Sequence, residues 1–208
     1  MSETLPHAVL AAADVSAVTQ LILRERSSRD LGLWEQMRDC FHADSRVRLS
    51  WIDASGPEFV RRSQEMAARN VQASHRLGPV MVTLAGERAI AQLSAIIDIP
   101  LALQGSEVLL SSHARFLFRA ERRRQAWRIA GFDAVYQRDE LQCLLPGETI
   151  RIDPSLLTRY RKSYRLLAHC LELNGFAVRD DLAGGDRPDL VATLSSEIYG
   201  WAGLQSPK

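Results

Sequence analysis

A histidine stands in the stretch QASHRLGPV, residues 72–80, where a helix-like segment gives way to a run that begins to read as strand. His75 in that position either caps or packs at the helix end, or points into a cavity as a proton carrier near neutral pH. Asp30 precedes a second helical run in SSRDLGLW and is a good N-cap type. A carboxylate bonded to one imidazole nitrogen fixes the tautomer, stabilises imidazolium and leaves the other nitrogen as a base. In an apolar cavity such a pair removes a proton next to a carbonyl or a leaving group, and that chemistry requires neither metal nor cofactor.

Other side chains are candidates for contacts with a substrate. His113 and Arg115 lie two apart on a strand-like run and share one face, with Phe116 and Phe118 on the other. Alternation alone does not say which face points inward. Asp133, preceded by Phe132, sits near the end of the last strand-like run, where it is either a base or a solvated carboxylate. Trp51 on a half-buried strand reads as core first and pocket lining second. Among the His, Cys and acidic residues no spacing suggests a metal site, and Cys40, Cys143 and Cys170 are odd in number and far apart, which fits a reducing compartment.

The elements that must position these groups change character along the chain. DVSAVTQLILRERSS reads as an amphipathic helix with Val15, Val18, Leu21 and Ile22 on one stripe and charges opposite, and DLGLWEQMRDCF as a second helix behind Asp30. VRLSWI reads as strand, and Pro57 opens a third helix that ends just before His75. Four long strands follow in PVMVTLAG, RAIAQLSAIIDIP, EVLLSSHARFLFRAE and AWRIAGFDAVYQRD. Beyond them a helix is expected from Ser155 to about Asn174 and a last one in DLVATLSSEIYGWAGL. Helices first and strands later make an α+β fold, a curved antiparallel sheet packed on helices.

Composition is that of a globular chain, with 46% hydrophobic and 25% charged residues among 208. The 26 basic and 25 acidic side chains nearly cancel, so no global field recruits nucleic acid or an anionic membrane, and a small-molecule partner is expected. ERRRQ reads as a solvated hairpin tip. The start MSETLPHAVLAAADV has no basic leader region and no later segment reaches membrane-spanning length, so the expected location is cytoplasmic.

Four stretches, RDLGLW followed by CF, Gly56 with Phe59 and Val60 after it, SHRLGPVMVTLAGERAIA, and RFLFRAERRRQAWRIAGFDAVYQRD, resemble the SnoaL-like branch of the nuclear transport factor 2-like superfamily, over roughly Asp14 to Asp139. The resemblance implies a cone-shaped, cystatin-like α+β barrel over residues 1–145, with residues 146–208 as a helical extension packed on it or on a partner subunit. In the family's dehydratases, isomerases and dehydrochlorinase an Asp and a His face each other across the cavity. Asp30, Trp34 and Phe41 keep the family's spacing, and His75 precedes the strand that leads to Gly86. The resemblance therefore implies an Asp30–His75 dyad and a cofactor-independent dehydratase or isomerase for a small apolar or aromatic, hydroxylated or carbonyl compound. It also admits a non-catalytic ligand-binding module, or a scaffold like the small subunit of ring-hydroxylating dioxygenases. The family's charge-holding residue on the last strand has no counterpart among Gly131, Phe132 and Asp133. By similarity to the scytalone dehydratases, His113 and Arg115 are candidates for the pocket, beside Trp51, Phe132 and Asp133. Such proteins often dimerise through the outer sheet face and use tails to close the cavity, so a homodimer is expected.

Overall fold

The computed structural model describes residues 7–207; the expectation about a leader falls in part on residues 1–6, outside them. Two helices, α1 (His7–Leu31) and α2 (Trp34–Asp39), precede a hairpin of β1 (Phe41–Leu49) and β2 (Ile52–Ser55). Helix α3 (Gly56–Ala68) follows, then β3 (Ser74–Leu77), β4 (Met81–Ala85), β5 (Arg88–Leu103), β6 (Ser106–Arg123) and β7 (Ala126–Cys143). The C-terminal part carries α4 (Pro154–Leu157), α5 (Arg165–Leu173) and α6 (Pro188–Trp201). The curved, unclosed sheet has the order β2-β1-β7-β6-β5-β3, with β4 also paired to β5.

The long hairpins β5–β6 and β6–β7 form where alternating apolar residues meet tight turns, and Gln104-Gly105 and Arg124-Gln125 supply the positive φ values that two-residue hairpin turns need. Helix α3 begins where expected, because the Ser55 hydroxyl accepts the Glu58 backbone N–H and Pro57 occupies the first turn. Gly56 is required there by close packing: a Cβ would lie 2.4 Å from Ser45 Oγ and 2.5 Å from the Phe41 ring.

Several boundaries differ from the sequence reading. Helix α1 runs through Asp30, which therefore lies in its last turn and does not cap α2; Gly32, at φ +69°, makes the break. Phe41 and HADSR belong to β1, whose Phe41 and Arg46 pair in parallel with Ile129 and Gly131 of β7 across an irregularity, so the sheet is mixed. Helix α3 stops at Ala68, with Asn70 at φ +59°, and His75 lies in β3, paired with Ile97. The expected helix from Ser155 to Asn174 is interrupted by a 3-10 turn at Lys162–Tyr164, and the Asp139 carboxylate accepts the N–H groups of Leu166 and Leu167 at the start of α5, 2.9 Å each.

The main core lies between α1, α3 and α5 and the inner sheet face, where Phe59, Phe116, Phe118, Phe132 and Tyr136 are almost wholly buried. Phe118 and Phe132 stack at 4.2 Å. A second cluster covers part of the outer face, where Leu194 and Ile198 of α6 meet Ile90, Leu117 and Val135. Among the described residues no helix is long and apolar enough to cross a membrane.

Candidate functional site

Helix α1 buries Val18, Leu21 and Ile22, and the same stripe continues at helical spacing into Glu25, Arg26 and Arg29, all buried. One turn after Arg26 the Asp30 carboxylate reaches across to β3. It accepts the His75 backbone N–H at 2.8 Å through Oδ2 and the ring Nδ1–H at 2.6 Å through Oδ1. This double contact sets both the strand end and the ring plane. Because an ionised carboxylate only accepts, the proton sits on Nδ1 and the Nε2 lone pair points inward. Arg26 Nη1 lies 3.4 Å from that Nε2.

Electrostatics reinforce the assignment. Burial holds the His75 ring below its ordinary 6.5; the Asp30 bond opposes the shift and Arg26 adds to it. Desolvation acts against ionisation of Asp30, but the hydrogen bonds from the His75 ring and backbone outweigh it and hold the carboxyl below 3.8. The two side chains are 6% and 22% exposed, so the dyad is sheltered, with the carboxylate nearer the surface.

His75 faces a cavity whose walls come from α1, α3, β3, β5, β6, β7, α5 and the turn at Ser50-Trp51. Apolar groups dominate the lining, among them Trp51, Phe59, Met66, Ile97, Phe116, Leu167 and Leu171; the polar exceptions are Arg26, Arg29, Ser50, His75 and Tyr136. The empty space is about 570 Å³ including the open mouth.

The sequence candidates divide by strand parity. Trp51 lines the cavity, packed 5.8 Å from Phe59. Phe132 lies one layer behind, 5.0 Å from Phe116 and stacked on Phe118. His113, Arg115 and Asp133 point the other way, because Ala114, Phe116 and Phe118 take the inner face. His113 lies 3.3 Å from Glu140, and Arg115 sits under α6 beside Leu117 and Ile198. Asp133 is neither solvated nor in the cavity: it is 2% exposed and accepts Arg48 Nε at 2.5 Å and Arg119 Nη2 at 3.1 Å. Burial raises its pKa against the pull of both guanidiniums.

The residues that sequence reasoning missed are Glu25, Arg26 and Arg29. Their signal was available in the Val18–Ile22 stripe, extended by one turn. Burial lowers Arg29 to about 10, and its guanidinium packs over Trp34 at 5.7 Å. Among the described residues no group of three or more His, Cys, Asp or Glu side chains gathers as a metal site.

Comparison with known proteins gives a consistent result. A profile of the SnoaL-like domain family matches residues 11–133. An uncharacterised protein of Emericella nidulans is 29% identical over 180 residues, which cover 82% of this chain and 75% of that protein. The fold is similar to a putative scytalone dehydratase from Novosphingobium aromaticivorans, with TM-score 0.52 and 11% identity over 68% of this chain and 91% of the other. It is also similar to a hexachlorocyclohexane dehydrochlorinase, with TM-score 0.55 and 13% identity over 68% of this chain and 95% of the other.

Proposed function

As the chain belongs to the family of SnoaL-like domain proteins, we propose that it is a cofactor-independent lyase or isomerase for a small apolar or aromatic, hydroxylated or carbonyl compound. His75 is the base and Asp30 orients it. The observation that carries this reading is the pair of hydrogen bonds from His75 to the Asp30 carboxylate, which leave Nε2 facing an apolar cavity. Names of proteins with a similar fold, a dehydratase and a dehydrochlorinase, support an elimination.

The test is a screen of single-ring hydroxylated and carbonyl compounds with wild type and His75→Ala. Turnover that falls by about 10²-fold or more in the variant is expected for a lost general base. Turnover that survives His75→Ala refutes the assignment, and binding without turnover makes the cavity a binding module.

The same proposal takes the protein to be cytoplasmic and homodimeric. The free Cys40, Cys143 and Cys170 support a reducing location. Leu144, Leu145 and Leu156, exposed by 48%, 51% and 53%, support a covered face on the C-terminal part. Light scattering at micromolar concentration checks the dimer, and a monomer refutes it.

A further inference from the structure

We infer that Arg26 is the group that receives negative charge in this cavity, and that the substrate is a carbonyl compound with an acidic C–H beside the carbonyl. The inference rests on the base assignment above for its chemistry, but the anion-receiving role stands on geometry of its own. Glu25, fully buried, takes Arg26 Nε and Nη2 as a bidentate pair. The rings of Phe132, Phe59 and Phe116 lie 4.8, 5.7 and 5.9 Å from the guanidinium carbon and confine it. Arg26 lines the cavity, and its remaining nitrogen, Nη1, lies 3.4 Å from the Nε2 of the base. That contact is longer than a good N–H hydrogen bond, so a substrate oxygen displaces it at little cost.

Donor and base side by side match the two reacting ends of an enolisable carbonyl. The C–H proton passes to Nε2, its electron pair moves into the C–C–O unit, and the oxygen becomes an enolate held by the Nη1–H groups. Where a β,γ double bond makes the enolate a dienolate, the imidazolium returns its proton to the γ-carbon and the double bond moves into conjugation; where a β-hydroxyl is present, the proton goes to that oxygen, the C–O bond breaks, and water leaves while the carbonyl reforms. Charges balance throughout. Glu25 and Asp30 offset Arg26 and Arg29 before the reaction, and imidazolium offsets enolate during it.

A chromogenic phenol, 4-nitrophenol, tests the site without turnover, since its visible absorbance reports ionisation. Bound to wild type or to His75→Ala, it should ionise about 1–3 pH units below its free value, as a group next to an opposite charge does. Arg26→Gln should return it to the free value and Arg26→Lys should keep part of the shift. The paired Glu25→Gln/Arg26→Gln variant removes both charges, so a result does not depend on a buried unpaired carboxylate. Failure of wild type to bind the phenol at millimolar concentration, binding without the shift, or a shift that survives Arg26→Gln overturns the inference. A shift that depends on Arg26 with no turnover in any screen removes the base assignment and leaves the anion site standing. Turnover that needs His75 but not Arg26 does the reverse.

Discussion

Replacing Asp30 by Asn tests the dyad without changing the shape of the side chain. The carboxylate accepts two N–H groups of His75, at 2.8 Å from the backbone and 2.6 Å from the ring. An amide has one oxygen, so it can keep the backbone bond but presents N–H to the ring. The ring must then move its proton to Nε2 to accept that N–H at Nδ1. Nε2–H now faces Arg26 Nη1 at 3.4 Å, donor against donor. Each bond falls from the charge-assisted class to the neutral class, a loss of about 1 kcal/mol apiece. The removed desolvation penalty of the carboxylate and its 22% exposure offset part of that sum, which leaves about 1–2 kcal/mol. For a chain of this size the melting temperature should fall by about 2–8 °C. Nitrogen-15 spectra of labelled histidine report the tautomer directly, and a thermal melt reports the stability. A variant that keeps its proton on Nδ1 and melts with wild type refutes the reasoning.

Acidification should weaken the fold through His75. Its folded pKa lies below 6.5, so as pH falls below that value the unfolded chain takes up a proton that the folded chain does not. Stability from this group is full above 6.5 and is lost toward its folded pKa; urea midpoints at about pH 7 and 5 should diverge more in wild type than in His75→Phe. Asp30 acts in a lower window, with stability present above 3.8 and lost as pH falls further. Asp133→Ala leaves Arg48 and Arg119 without their buried partner and should cost about 3–5 kcal/mol in chemical denaturation; a cost under about 1 kcal/mol would contradict the buried network. Leu171→Ala, at a position 4% exposed, should destabilise by about 2–5 kcal/mol and widen the cavity, so binding should extend to larger rings; unchanged ligand size preference would count against α5 as its wall. Deleting residues 147–208 uncovers Tyr136 and should cause association or loss of binding, and a monodisperse truncated protein with unchanged binding would refute that.

The strands from Met81 to Cys143 were legible because their information is local: alternating apolar residues and turns that follow one another in sequence. Phe41 and Arg46 were not, since they pair with Ile129 and Gly131 of β7, far along the chain, and tertiary contact overrides local preference. The parity of β6 could not be read because both faces end up covered, the face of Phe116 and Phe118 by the core and that of Arg115 beneath α6. The spacing of Asp30 and His75 pointed to two residues that are in hydrogen-bond contact, but Asp30 lies in the last turn of α1 and not at the start of α2. Arg26 was overlooked because a charged residue is ordinarily assigned to solvent, whereas Glu25 and three aromatic rings make its burial tolerable.

The parallel junction of β1 with β7 sets the order in which the protein can assemble. Helix α1 and β1 are synthesised before β7, which ends at Cys143, and the cavity wall is complete only with Leu171 of α5. Closing so long a loop precedes any reward from the contacts it brings, which makes folding slow relative to helical chains of the same size. Until then the apolar stripe of Val18, Leu21 and Ile22, with the Glu25–Arg26 pair at its end, waits without the sheet that buries it.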